Sequence, residues 1–143
     1  MTGVADSTVG HGVVADRFFA AIERGDVDAV ADVYSDDVTV WHNYDGLDQT
    51  KAESLRTLGW IASHFGPLRY VDVRRTELAD GFWQQHVTEL THRGKVTRIP
   101  AALRAYCRSG RIVRIEEYVD PAPFALLATA ARNDRESRSQ HEG

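Results

Sequence analysis

Cysteine is almost missing from this sequence. The lone Cys107 has no second thiol in the chain, so an internal disulfide, and with it the disulfide-stapled class of small secreted domains, is excluded. No apolar run approaches the ~18–20 residues of a membrane span, and Met1 to Gly10 has neither the basic start nor the apolar centre of a signal peptide. Both absences point to a soluble, cytoplasmic protein without a membrane partner. Positive charge is in deficit as well: 17 Lys and Arg stand against 21 Asp and Glu, a net charge of −4. Phosphate backbones require a basic face, so nucleic acid is not expected as a partner. The sequence has no internal repeat.

What is present is an ordinary globular composition, 43% apolar and 27% charged over 143 residues, enough for one domain that buries roughly 70% of its unfolded surface. The expected domain covers residues 1–132, followed by a polar, mixed-charge tail at 133–143 that is expected to be flexible. Acids dominate the first half and arginines the second, consistent with acidic helix faces and a sheet with an arginine-rich outer surface.

The first half reads as helical. Val14, Phe18, Ala21 and Ile22 recur at helical spacing within Val9 to Arg24, and Gly25 supplies a left-handed stop. Asp26 caps a second short helix, Ser35-Asp36-Asp37 breaks it, and Val38 to His42 reads as a strand. Thr50-Lys51-Ala52-Glu53 has the spacing of a capping box and opens a third helix, which ends at Gly66-Pro67. After Pro67 the period changes to two. Four extended segments, Leu68 to Leu78, Phe82 to His92, Val96 to Arg108 and Arg111 to Val119, are separated by Asp80-Gly81, Arg93-Gly94 and Ser109-Gly110. Turns this tight force antiparallel neighbours, so the four form a meander. A short helix over 123–132 is expected to follow. The predicted fold is α+β: a curved antiparallel sheet wrapped around the N-terminal helices, leaving a pocket where they do not fill its concavity.

Strand alternation selects candidate pocket residues. Phe82, Gln84, His86, Thr88, Leu90 and His92 share one face. In the last strand Glu117 is the single ionisable group in a row with Val113, Ile115 and Val119, and a carboxylate there must be either paired or functional. Ile99, Ala101, Leu103, Ala105 and Cys107 form an inward row whose small members leave volume at the middle of the sheet. Phe18, from the first helix, and Leu103 are expected to line the pocket as apolar walls, and Trp60 to close its mouth. No metal is expected: His86 and His92 share a face but lie about 20 Å apart along a strand.

Two stretches of sequence carry a resemblance. The segment Ile99-Pro100-Ala101-Ala102-Leu103-Arg104-Ala105-Tyr106-Cys107-Arg108-Ser109-Gly110-Arg111-Ile112 with Glu116-Glu117-Tyr118-Val119-Asp120 resembles the closing hairpin of SnoaL-like proteins. Phe18-Phe19-Ala20-Ala21-Ile22-Glu23-Arg24-Gly25-Asp26 and Tyr34-Ser35-Asp36-Asp37-Val38 resemble their opening helices. These proteins belong to the nuclear-transport-factor-two-like superfamily, with ketosteroid isomerase, polyketide cyclases, scytalone dehydratase and limonene epoxide hydrolase. The resemblance implies a cone with an apolar pocket, no cofactor, a small apolar ligand and a homodimer formed through the sheet. Trp41-His42-Asn43 is similar to the Tyr-His-Asn segment that holds the attacking water in limonene epoxide hydrolases. The Arg-x-Asp pair of those enzymes is absent, however, since the corresponding strand reads His86-Val87-Thr88, which places epoxide hydrolysis behind other reactions.

From parity and the family's register, His86, Thr88 and Glu117 are expected to share the pocket with Trp41 and Asn43. In that arrangement His86 moves a proton, Glu117 assists, and Asn43 or Trp41 binds a developing oxyanion. The expected activity is isomerisation, cyclisation or dehydration of a small apolar substrate. The alternative from the same residues is a non-catalytic binder of hydrophobic molecules or an accessory subunit.

Overall fold

Helix α1, His11–Arg24, buries Val14, Ala15, Phe18, Phe19, Ala21 and Ile22 on one face. It ends where Gly25 turns left-handed at φ 69°, a conformation with little penalty only for glycine. The computed structural model describes residues 10–142. The expected helix start at Val9 and the reading of the first nine residues lie outside the described residues.

Helix α2, Val27–Val33, is capped by the Asp26 carboxylate, which accepts the Ala29 N–H at 3.0 Å. Strand β1 follows at once, Tyr34–His42, four residues earlier than the sequence suggests. The cause is a parallel ladder with the last strand. Tyr34 is in register with Ile112, and the polar Ser35-Asp36-Asp37 stretch lies in the irregularity between Tyr34 and Thr39. A two-residue strand β2, Asp48–Gln49, pairs with β1 and is too short to leave a period-two pattern. Helix α3, Lys51–His64, opens on the complete Thr50/Glu53 capping box.

The meander forms as the alternation predicts: β3 Leu68–Leu78, β4 Gly81–His92, β5 Lys95–Arg108 and β6 Arg111–Val119. Positive φ at Arg93 and Gly94, and at Ser109 and Gly110, is the geometry that two-residue hairpin turns demand. The six strands lie in the order β2-β1-β6-β5-β4-β3, all antiparallel except β1 against β6. Phe82, Leu90, Ile99, Leu103 and Ala105 point inward to meet α1 and are buried. The other face carries charge ladders, Arg98 with Glu89 and Asp72, and Arg114 with Asp48 and Glu116.

The last helix departs from expectation. Helix α4 runs from Ala122 to Glu142, through the stretch predicted to be a flexible tail. Leu127, Ala128 and Ala131 are buried, and beyond them Asp134 binds His92 Nε2 at 2.9 Å and Arg93 at 2.6 Å. That pair of ionic contacts, which periodicity cannot reveal, holds the polar half of α4 against the end of β4.

Candidate active site: an apolar cavity with a histidine–carboxylate pair

Between α1, α3, the start of α4 and the inner face of the sheet lies a cavity of about 380 Å³, within the range of small-molecule sites. Its walls are mainly apolar: Phe18, Ile22, Leu58, Ile61, Leu90 and Leu103 among them. Among the polar groups facing it are His42 from β1, Glu117 from β6, Tyr70 from β3, Thr88 from β4, and Tyr34 with Ser54 from β1 and α3, together with Tyr44, Gln49, Thr57 and Asp120.

Glu117 does meet a histidine, but it is His42. Its Oε1 lies 3.1 Å from His42 Nε2, because parallel pairing sets His42 directly beside Glu117. Nδ1 of His42 is buried without a hydrogen-bond partner. The expected pairing of Glu117 with His86 is thereby corrected. The alternation of β1, with Val38, Val40 and His42 inward, was the signal that points to His42.

The same alternation turns Trp41 outward. Its ring lies against Tyr118 at 5.4 Å, on the far side of the sheet from the cavity, so the expected place for Trp41 in the pocket is also corrected. Asn43 works as a clip at the end of the β1–β6 seam: its Oδ1 accepts the Val119 N–H at 2.9 Å, and its own N–H reaches the Glu117 carbonyl at 3.1 Å. Its side-chain oxygen is thus committed to backbone, and Asn43 is not among the residues lining the cavity, where a water-holding or oxyanion role was expected. Trp60 stacks on His64 at 4.4 Å and meets Phe65 and Phe124 edge-on. It buttresses the α3–α4 junction behind the cavity. Phe18, Leu103, Thr88 and Glu117 do line the cavity.

His86 is inward-facing and buried, 4% exposed, with its ring edge-on to Tyr70 at 4.8 Å and Phe19 at 5.6 Å. Burial pushes its pKa down, and the Glu117 charge opposes this in part. The unfolded chain therefore takes up a proton at His86 near its ordinary pKa of about 6.5, while the folded chain resists until lower pH. Stability from this group is full above that value and is lost as pH falls through the folded pKa. Wild-type thermal midpoints are expected to decline between about pH 7 and pH 5 more steeply than those of His86→Leu, as read by circular dichroism; parallel declines would contradict the assignment.

Two phenols complete the polar set, and no motif announced them. Tyr34, 1% exposed, shares a 2.9 Å hydrogen bond with Ser54 Oγ, and burial raises its pKa to about 12. Burial also drives the Tyr70 pKa well above the ordinary value, with Glu117 adding to the rise. Both stay protonated near neutral pH and remain donors. Cys107 is half-buried with its thiol pushed up to about 11 by burial, which makes it a poor nucleophile. Among the described residues no group of three or more His, Cys, Asp or Glu is placed to hold a metal ion, and no helix is long and apolar enough to cross a membrane.

A curved sheet closed by helices around an apolar cavity defines an α+β small-molecule pocket protein. The chain belongs to the SnoaL-like domain family, whose model matches residues 15–115. No curated protein matches the sequence. Solved structures share the fold. A candidate polyketide cyclase from Xanthomonas campestris pv. campestris superposes with a TM-score of 0.69 at 18% identity, covering 80% of this chain and 93% of its own. PrhC from Penicillium brasilianum gives 0.74 at 12% identity, with 87% and 89% covered. A ketosteroid isomerase-like protein from Catenulispora acidiphila, solved in complex with trimethylamine, gives 0.64 at 14% identity, with 73% and 83% covered. At such identities the likeness carries the fold and not the reaction.

Proposed function

We propose that this protein is an acid–base enzyme of the isomerase, cyclase or dehydratase type, acting on a small, apolar carbonyl compound without a cofactor. The observation that carries the reading is the Glu117–His42 pair, 3.1 Å apart, facing a mainly apolar cavity. The imidazole beside it holds the carboxylate in place at the cavity wall. Glu117 takes the proton from the carbon beside the substrate carbonyl. The negative charge that develops on the carbonyl oxygen is met by a phenol, Tyr70, which lines the cavity and whose hydroxyl, unlike that of Tyr34, makes no side-chain hydrogen bond among the described residues. Return of the proton from Glu117 to another carbon isomerises the substrate, attack of the enolate on a second carbonyl with that proton going to the new alkoxide closes a ring, and transfer of the proton to a departing β-hydroxyl releases water and dehydrates it. The proposal includes a second copy of the chain against the outer face of the sheet, where Tyr118 and Val73 are half-exposed.

The test measures the shared first step. Neutral β,γ-unsaturated ketones and β-dicarbonyl compounds are incubated with the protein in D2O, and deuterium entry beside the carbonyl is followed by NMR. Saturable acceleration over buffer is the expected result. A compound that binds yet gains no deuterium beyond the buffer rate over long incubation supports the competing reading, a non-catalytic binder of apolar molecules.

A further inference from the structure

Behind Tyr70 a chain of side chains runs inward from the surface and ends on His86. Arg75 binds the Asp16 carboxylate through NH1 at 2.8 Å, and its Nε donates to Gln84 Oε1 at 2.8 Å. Gln84, fully buried, then places its amide nitrogen 3.0 Å from His86 Nδ1. The direction of every bond follows from chemistry. A guanidinium has no acceptor, so the Gln84 oxygen must face it and the Gln84 NH2 must donate onward. Nδ1 of His86 is therefore the bare nitrogen, and the ring proton sits on Nε2. That Nε2 is buried and has no partner among the described residues, an arrangement that is unfavourable when left unmet.

The place of the ring suggests what the free N–H is for. In the β4–β5 ladder His86 sits directly opposite Ala101, whose methyl lines the cavity, and its ring abuts Tyr70, which also lines it. His86 does not itself line the cavity; Ala101 and Tyr70 stand between its ring and that space.

We propose that the Asp16–Arg75–Gln84 chain locks His86 as a neutral imidazole protonated on Nε2, and that His86 serves the cavity as a hydrogen-bond donor to an oxygen of the ligand rather than as a base. The donor role rests on the small-molecule reading given above; the tautomer does not. Neutrality agrees with the downward push of burial on this ring. With the proton-accepting nitrogen occupied by Gln84, the base of the site is left to the Glu117–His42 pair.

The test is long-range 1H–15N NMR of the intact protein at pH 7. The wild type is expected to show His86 Nδ1 as a bare nitrogen and Nε2 as a protonated one. In Gln84→Glu the new carboxylate can only accept, so the proton should move to Nδ1 or the ring should become imidazolium. Should that variant fail to fold, Arg75→Met, which frees the Gln84 amide to rotate, is expected to give a mixture of both tautomers. Saturation with acetophenone should shift the Nε2–H signal, whereas isopropylbenzene, of the same outline without the carbonyl, should not. A wild-type ring protonated on Nδ1 or on both nitrogens overturns the lock. An Nε2–H signal that responds alike to both probes, or to neither, overturns the donor role. All of these signals are read without turnover, so they stand or fall separately from deuterium exchange.

Discussion

Glu117→Gln is expected to lower the rate of deuterium entry by about 10²–10⁴, the usual contribution of a positioned general base, while ligand affinity changes by less than tenfold. Glutamine keeps the volume and a polar oxygen beside His42 Nε2, and the backbone ladder between β1 and β6 is untouched, so the cavity keeps its shape. What is lost is the negative charge and the proton affinity that goes with it. Phenol pKa values should respond as well, because the Glu117 charge contributes to the rise at Tyr34, Tyr44 and Tyr70. Ultraviolet titration of the variant should therefore find tyrosines ionising at lower pH than in the wild type. Deuterium entry that survives intact in Glu117→Gln, in a protein with unchanged circular dichroism, would remove Glu117 from the reaction.

Gly81→Ala is expected to be the most damaging single-methyl change in the chain. A Cβ at this position would sit 1.9 Å from the Ala105 carbonyl oxygen and 2.9 Å from its carbon. Both are backbone atoms in the β4–β5 ladder, where Phe82 pairs with Ala105 and Gly81 with Tyr106. The partner strand cannot retreat without breaking neighbouring bonds, including the Cys107 N–H to the Asp80 carbonyl at 2.8 Å. A loss of about 3 kcal/mol follows from overpacking of this kind, which for a chain this long lowers the thermal midpoint by roughly 10 °C. Gly46→Ala is the control. Gly46 also has positive φ, at 65°, but nothing lies within 4 Å of the new methyl, so only the ordinary backbone penalty of ~1–2 kcal/mol applies. Equal midpoints for the two variants would refute the steric argument.

The sheet was legible in the sequence because its signals are local. Period-two alternation gave the inward row of β5, alternation with the family's register gave that of β4, and Asp80-Gly81, Arg93-Gly94 and Ser109-Gly110 gave the turns. Capping chemistry likewise placed α2 and α3. The site was legible only in part. Glu117 stood out as an acid in an apolar row, and parity put it inside the cavity. Its partner depended on which strand lies beside β6, a non-local fact. Once β1 is known to run parallel to β6 with His42 in register with Glu117, His42 follows and Trp41 must face away. Tyr34 with Ser54, and the Asp134 contacts of α4, join residues far apart in the chain with no recurring pattern, so no reading of local sequence reaches them.

The parallel joint between β1 and β6 has a bearing on how the molecule assembles. The hairpins of β3 to β6 bring together residues close in the chain and can zip up early, whereas β1 must wait for nearly the whole polypeptide before its neighbour exists. Loop-closure entropy makes such distant pairings the slow ones. His42 and Glu117 straddle that joint, so the two side chains meet only when it closes. A refolding intermediate would then hold a formed meander and yet be inert, and any molecule gripping both side chains at once would act as a latch on the native topology.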